Sequence, residues 1–190
     1  MLIDDSIIEG CIAGKRDAQS ALYRKYVSVM MAVCLRYAQS RDEAEDILSE
    51  AFLKIFTNIR SYRYEGSFEG WMKRIMINHA LNYYRKNRRS PFLEDIGEIK
   101  ETDIIDGEPR SADHSPVSAE TLTTLIQMLP RGYKMVFNLY VFEEYSHKEI
   151  SQMLQISEST SKTQLLKARK MLRKKLYDLN LIKNPDLINE

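Results

Sequence analysis

Cysteine, glycine, proline and long apolar runs are all scarce in this chain, and each scarcity narrows its class. Only Cys11 and Cys34 occur, too few for a disulfide framework, and no Cys-x-x-Cys pair exists to hold zinc. Seven Gly and five Pro in 190 residues, beside abundant Leu, Ile, Met, Lys and Glu, favour helices over sheets. The longest uninterrupted apolar run is Val29–Leu35, far short of the ~20 residues of a membrane span, so no membrane insertion is expected. Met1-Leu2-Ile3-Asp4-Asp5 lacks the basic start and apolar stretch of a signal peptide, and the expected compartment is the reduced cytoplasm. No Gly-rich phosphate loop and no Gly-x-Ser-x-Gly elbow is present. His79, His114 and His147 stand far apart, at no metal-ligand spacing, and lone histidines on polar helices are most often surface residues. No catalytic residue, metal or cofactor is expected, and the chain does not read as an enzyme.

Net charge is also almost missing: 28 Lys+Arg against 27 Asp+Glu leave +1. That sum conceals four opposed blocks. Residues 1–60 carry −1, 61–90 carry +5, 91–120 carry −7 and 121–190 carry +4. Two basic blocks around an acidic one suggest two polyanion-facing modules with an acidic connector, although charge runs also occur simply as solvated surface. At 44% apolar residues the chain has enough to bury for a folded core.

The apolar periodicity is helical throughout. An upstream helix, Ile3–Gly14, is short. From Asp17 to Tyr37, Ala18, Leu22, Tyr26, Val29, Met30, Val33, Cys34 and Tyr37 recur in steps of three and four. Ser40-Arg41-Asp42-Glu43 has capping-box spacing and opens a helix whose inner face is Ala44, Ile47, Leu48, Ala51, Phe52, Ile55, Phe56 and Ile59. Its opposite face carries Asp42, Glu45, Asp46 and Glu50. After a polar loop with Tyr62, Tyr64 and Gly66, Ser67 caps a helix from Phe68 to about Arg88, with Trp71, Met72, Ile75 and Met76 as core candidates. Ser90-Pro91 ends this first domain, residues 1–90. Residues 91–117, rich in acids with three Pro and two Gly, read as a flexible linker.

Periodicity resumes at Ser118. Leu122, Leu125, Ile126 and Leu129 form one face, stopped at Pro130-Arg131-Gly132. A helix over about Lys134–Val141 follows, using Met135, Val136, Leu139 and Tyr140. Ser146-His147-Lys148-Glu149 repeats the capping-box spacing and opens a helix buried through Ile150, Met153 and Leu154. A tight turn at Gln155-Ile156 leads to Ser157, the cap of a last helix reaching about Tyr177. Two capped helices joined by so short a turn read as a helix-turn-helix. The expected fold is therefore all-α: two small helical domains, 1–90 and 118–178, with an acidic linker over 91–117 and a tail over 179–190.

Three surfaces could carry function. The last helix holds Lys162, Lys167, Arg169, Lys170, Arg173, Lys174 and Lys175, with Glu158, Ser159, Thr160, Thr163 and Gln164 near its start. In a DNA-binding helix-turn-helix that start meets base edges, while flanking cations meet phosphates. The third helix mixes Lys73, Arg74, Asn78, Asn82, Tyr83, Tyr84, Arg85, Lys86, Arg88 and Arg89, preceded by Tyr62 and Tyr64. Rings beside cations suit unpaired bases. The acidic face of the second helix is either plain surface or a docking face for a basic partner.

These residues resemble a known family. Asp42-Glu43-Ala44-Glu45-Asp46-Ile47-Leu48-Ser49-Glu50-Ala51-Phe52-Leu53-Lys54, then Phe68-Glu69-Gly70-Trp71-Met72-Lys73-Arg74 and Arg85-Lys86-Asn87-Arg88-Arg89, are similar to region 2 of the bacterial sigma-70 family. Leu129-Pro130, Ser146-His147-Lys148-Glu149-Ile150-Ser151 and Ser159–Arg169 resemble region 4. Two such domains and a short linker match the extracytoplasmic-function, or group 4, sigma factors. The resemblance implies a sigma factor that binds core RNA polymerase and directs promoter-specific initiation. It implies polymerase docking through Asp42, Glu45, Asp46, Ile47, Ser49, Glu50 and Phe52. It further implies capture of a flipped −10 base and its strand by Tyr62, Tyr64, Lys73, Arg74, Asn78, Asn82, Arg85, Lys86, Arg88 and Arg89. Reading of the −35 element falls to Ser159, Thr160, Lys162, Thr163, Gln164, Leu166, Lys167 and Lys170. Many relatives are controlled by an anti-sigma factor, which adds a partner to core polymerase and promoter DNA. The sequence departs from the family at Gln155, where Gly is usual in the turn, at Ser161 and Ser151 for Val and Ala, and at Gln164 for a cation. Two other readings stand beside this one: a stand-alone helix-turn-helix regulator that binds duplex DNA without polymerase, and a protein-interaction module.

Overall fold

The chain was analysed as a computed structural model that describes residues 5–87 and 118–182. It divides into two compact units, Met1–Asn87 and Arg88–Glu190. The expected linker, 91–117, lies outside the described residues, as do Arg88, Arg89, His114 and the end of the tail from 183. Every regular element among the described residues is helical.

The first unit contains α1 (Asp5–Ile12), α2 (Arg16–Tyr37), α3 (Arg41–Asn58), a single 3₁₀ turn at Ile59–Ser61, and α4 (Phe68–Asn87). α2, α3 and α4 each pack against the other two, and α1 lies along α2. The contact is made by the three-and-four stripes. Leu22, Tyr26, Met30, Val33 and Tyr37 come from α2, Ala44, Ile47, Leu48, Ala51 and Ile55 from α3, and Met72, Met76, Ala80 and Tyr84 from α4, all buried. Each large apolar side chain so placed contributes about 1.5–3 kcal/mol. The Cys34 thiol points into this core, its Sγ 3.8 Å from the Met76 sulfur, and burial pushes its pKa up to about 12. α1 can approach α2 closely because residue 10 is glycine: a Cβ there would lie 2.6 Å from the Ala18 Cβ.

Ser40 caps α3 by accepting from the Glu43 amide at 3.1 Å. The return bond of a full capping box misses by one residue, because Glu43 Oε2 accepts from the Gln39 amide at 3.2 Å. Ser67 caps α4 through the Gly70 amide at 3.0 Å. Two of the four core candidates in α4 are displaced. Met72 and Met76 are fully buried, but Trp71 and Ile75 are half-buried. The inward stripe runs Phe68, Met72, Met76, Ala80 and Tyr84, one residue on from the step that joins Trp71 to Ile75, so those two sit on the rim. Phe56 is likewise half-buried at the edge of the α3 face.

The second unit contains α5 (Ala119–Gln127), α6 (Arg131–Val141), α7 (His147–Leu154) and α8 (Glu158–Asp178). α8 is the long element against which α5, α6 and α7 pack. Ser118, Ser146 and Ser157 each accept from a backbone amide three residues on. α6 starts three residues earlier than its apolar pattern predicts. Pro130, with φ −51°, leads straight into the helix at Arg131, and Gly132 is buried in its first turn. Leu122 and Met153 are half-buried, not buried as their periodicity predicts.

The helix-turn-helix turn places Gln155 at φ 55°, ψ 50°, the left-handed region, as the C-cap of α7. A side chain there costs roughly 1–2 kcal/mol relative to glycine's freedom, partly offset by glycine's greater entropy when unfolded. Gln155→Gly is therefore expected to stabilise the second unit by about 0.5–1 kcal/mol, and Gln155→Val to destabilise it further. Urea unfolding followed by circular dichroism measures both. A glycine variant with a lower midpoint would show that the glutamine side chain holds the turn.

Candidate functional site

The packing leaves three polar surfaces, two on the first unit and one on the second. On α3, the apolar stripe turns inward, so Asp42, Glu45, Asp46, Ser49 and Glu50 are exposed along one side. Ile47 and Phe52, grouped with them from the sequence, are 1% and 3% exposed. Their side chains hold α3 in place. Leu53 is 67% exposed and continues the same stripe, three residues after Glu50. Nothing in the sequence marks it as outward, since an apolar residue is ordinarily assigned inward. Two partners trim the carboxylates: Arg41 Nε lies 2.9 Å from Glu45 Oε1, and His79 Nε2, from α4, lies 2.6 Å from Glu50 Oε2.

The second surface is on α4. Arg74, Asn78, Asn82, Arg85 and Lys86 are all exposed, and steps of four, four and three put the first four on one stripe. Arg85 donates to Asn82 Oδ1. Lys73 is to one side, ion-paired with Glu69 at 2.8 Å. Before α4 the chain makes a tight aromatic loop. The Tyr62 ring lies 4.8 Å from Tyr64, 5.0 Å from Phe68 and 5.7 Å from Trp71, and its hydroxyl donates to the Gly66 carbonyl at 2.8 Å. Tyr64 has φ 59° and Gly66 φ 103°. A left-handed tyrosine is a true outlier; here it is accompanied by the tilted Tyr62–Tyr64 ring contact and the closing hydrogen bond. Tyr64 remains 55% exposed. Its phenol is held above its ordinary pKa by lost solvation and then by the carboxylates of Asp5 and Glu9.

The third surface is the outer side of α8. Ser159, Thr160, Lys162 and Lys170 are exposed, while Thr163, Gln164, Leu166 and Lys167 are half-buried. Several of these groups are already engaged. The Ser157 hydroxyl lies 2.9 Å from Ser159 Oγ and 2.7 Å from Thr160 Oγ1, and Thr163 Oγ1 donates to the Ser159 carbonyl at 2.9 Å. Lys162 Nζ sits 3.3 Å from Glu158. Towards the far end of the helix, burial and the neighbouring Arg169 guanidinium lower the pKa of Arg173.

The histidines depart from expectation. Neither described one is a plain surface residue: His79 bridges α4 to α3, and His147 lies in the second unit with its ring stacked on Tyr140 at 4.7 Å. Both contacts span helices, so nothing in local spacing marks them. Among the described residues no three His, Cys, Asp or Glu side chains converge on a metal site, and no helix is long and apolar enough to cross a membrane.

The comparisons with known proteins fall on these two units. Residues 22–90 match the family model for Sigma-70 region 2, and residues 119–172 that for Sigma-70, region 4. The ECF RNA polymerase sigma factor SigW of Bacillus subtilis is 31% identical over 175 residues, 87% of this chain and 92% of its own. The chain belongs to the ECF sigma factors. The ECF RNA polymerase sigma-E factor of Haemophilus influenzae is 26% identical over 189 residues, covering 94% and 97% of the two chains. A solved sigma factor RpoE from Bartonella quintana, in complex with the anti-sigma factor NepR, has TM-score 0.48 and 16% identity over 83% of this chain and 96% of that one. This ECF sigma factor acts with RNA polymerase in transcription initiation, and the stand-alone regulator reading is not favoured.

The capping box of α7 gives this sigma factor an acid-sensitive point. Glu149 Oε2 accepts from the Ser146 hydroxyl at 2.7 Å and amide at 2.8 Å, which holds its carboxyl below the ordinary value. The folded state therefore binds that proton less readily than the unfolded chain. The stabilisation is complete above the unfolded carboxyl's pKa and is lost as pH falls through the lowered folded value. The melting difference between the native chain and Glu149→Gln is expected to shrink from about pH 6 to about pH 3, measured by thermal unfolding across that range.

Proposed function

We propose that the three surfaces divide the work of initiation. The first unit, residues 1–90, docks on core RNA polymerase through the α3 stripe, Asp42, Glu45, Asp46, Ser49 and Glu50, with Ile47 and Phe52 supporting it from beneath. The α4 stripe and the loop before it then take the −10 strand. Tyr62 and Tyr64 offer ring faces, Asn78 and Asn82 offer amides to an extruded base, and Lys73, Arg74, Arg85, Lys86, Arg88 and Arg89 neutralise the backbone. The single observation that carries this reading is the separation of charge in one small unit: carboxylates line α3 and cations with amides line α4. One partner could not satisfy both. Extruding a base costs a few kcal/mol, and a loop already closed by the Tyr62–Gly66 hydrogen bond spends no further ordering entropy when the base arrives.

The second unit, residues 118–178, reads the −35 element with the start of α8. Lys162, Lys167 and Lys170 meet phosphates, and Gln164 and Thr163 are the candidates for base edges. Leu166 offers an apolar contact, such as a thymine methyl needs. The knot of hydroxyls at Ser157, Ser159 and Thr160 shapes the helix start, so those two neighbours act by backbone position more than by reaching out. The chain is read as non-enzymatic and cytoplasmic, with no cofactor. An anti-sigma factor, if this chain has one, must cover the α3 stripe or the α8 surface to deny polymerase or promoter.

Three measurements test these assignments. Asp46→Lys with Glu50→Lys is expected to weaken binding to core polymerase at least about a hundredfold, since reversing two charge pairs costs several kcal/mol; fluorescence anisotropy reads it, and unchanged binding removes α3 from the interface. Asn78→Ala is expected to leave duplex binding by the holoenzyme intact and to reduce strand opening about tenfold, the loss of one good base contact, read by permanganate footprinting. Normal opening takes Asn78 out of the pocket. Lys162→Ala is expected to weaken all −35 sequences alike and lower the salt slope by about one, whereas Gln164→Ala changes which sequence is preferred. A randomised promoter library separates the two, and an unaltered preference excludes Gln164.

A further inference from the structure

One imidazole in the second unit, on α7, reaches both α6 and α8. His147 is the first residue of α7. Its ring is stacked on Tyr140 of α6, centroids 4.7 Å apart and planes 25° from parallel. Its Nδ1 lies 2.9 Å from the hydroxyl of Ser161 on α8. Ser161 is 0% exposed, so water cannot reach its hydroxyl, and a buried hydroxyl that loses its partner is costly. Tyr140 in turn has the Arg169 guanidinium 5.6 Å from its ring centre, which ties the middle of α8 to the same point. Ser161 directly precedes Lys162, Thr163 and Gln164. Because its side chain faces inward, its hydrogen bond determines how far and at what angle the outward-facing residues project.

We infer that His147 is a positioning residue for −35 recognition: through Ser161 Oγ, and braced by Tyr140, it sets the seat of the α8 reading surface without touching DNA. This rests on the proposed role of α8 at the −35 element. An apolar side chain at 147 could fill the space, but it would leave the Ser161 hydroxyl buried without that partner. The cheapest relief for the hydroxyl is to shift the first turn of α8 towards water. Such a shift moves Lys162 and Gln164 relative to the groove while leaving the rest of the unit folded.

The test uses the full chain assembled with core RNA polymerase and compares initiation from two templates, one with both promoter elements and one premelted at −10 without a −35 element. His147→Leu is expected to lower initiation on the first template about tenfold, the change that follows from about 1.4 kcal/mol of lost hydrogen bonding, and to leave the second within about twofold. His147→Asn, whose amide reaches the Nδ1 position, is expected to recover most of the loss. His147→Gln, whose amide reaches the Nε2 position, is not. Should His147→Leu fail to fold, the Asn and Gln variants decide the matter between themselves. Equal loss on both templates, no loss on either, or identical behaviour of Asn and Gln overturns the inference. Lys162→Ala and Gln164→Ala run alongside: if they too leave −35 use unchanged, the α8 assignment has failed, whereas a response from them and none from His147 variants fails this inference alone.

Discussion

Everything this chain presents outwards depends on helices burying one side of themselves against another helix. In the first unit α2, α3 and α4 spend their three-and-four stripes on a common core of aliphatic, Met, Ala and aromatic side chains, Tyr26, Tyr37 and Tyr84 among them. The stripe fixes the rotation of each helix about its axis to within a fraction of a turn, because one residue of slip would move about 100° of circumference. With rotation determined, the carboxylates of α3 and the cations of α4 have no choice of direction. The polar surfaces are thus a by-product of apolar packing, and Ile47 and Phe52 matter to the α3 surface precisely by being absent from it.

The second unit solves the same problem with fewer apolar contacts and more capping. Three of its four described helices are short, and an isolated helix of eight residues such as α7 has little stability of its own. Serine caps at 118, 146 and 157 satisfy amides that α5, α7 and α8 leave open. The left-handed turn at Gln155 and the His147–Ser161 bond then orient α7 and α8. Directional polar interactions therefore add to burial in setting the geometry here.

That contrast explains what could be read from the sequence. All eight α-helices among the described residues were expected, because apolar period and serine caps are local signals within one or two turns. The residue of the turn that must take a positive φ was visible as an unusual Gln. What the sequence did not show was of three kinds. Trp71 and Ile75 share a step with each other, but the inward stripe of α4 is defined by what α2 and α3 offer, one residue away. The His79–Glu50 and His147–Ser161 contacts join residues 29 and 14 positions apart, and no periodicity encodes them. The start of α6 was misplaced because a Pro-x-Gly sequence resembles a stop, although proline's fixed φ equally suits the entry of a helix. Of the site residues, the exposed polar ones were legible as soon as the apolar stripe was drawn. Leu53 was not, because exposure of a leucine depends on having no neighbour.

The strained loop before α4 has a consequence for timing. Its left-handed tyrosine is accompanied by the Tyr62–Gly66 closure within the same loop, so the conformation is supported by contacts of the unit itself. On the −10 role proposed for this loop, its own folding would not have to accompany capture of the strand. The cost of opening would then lie mainly in the DNA, and should vary with the stacking of the base step being broken.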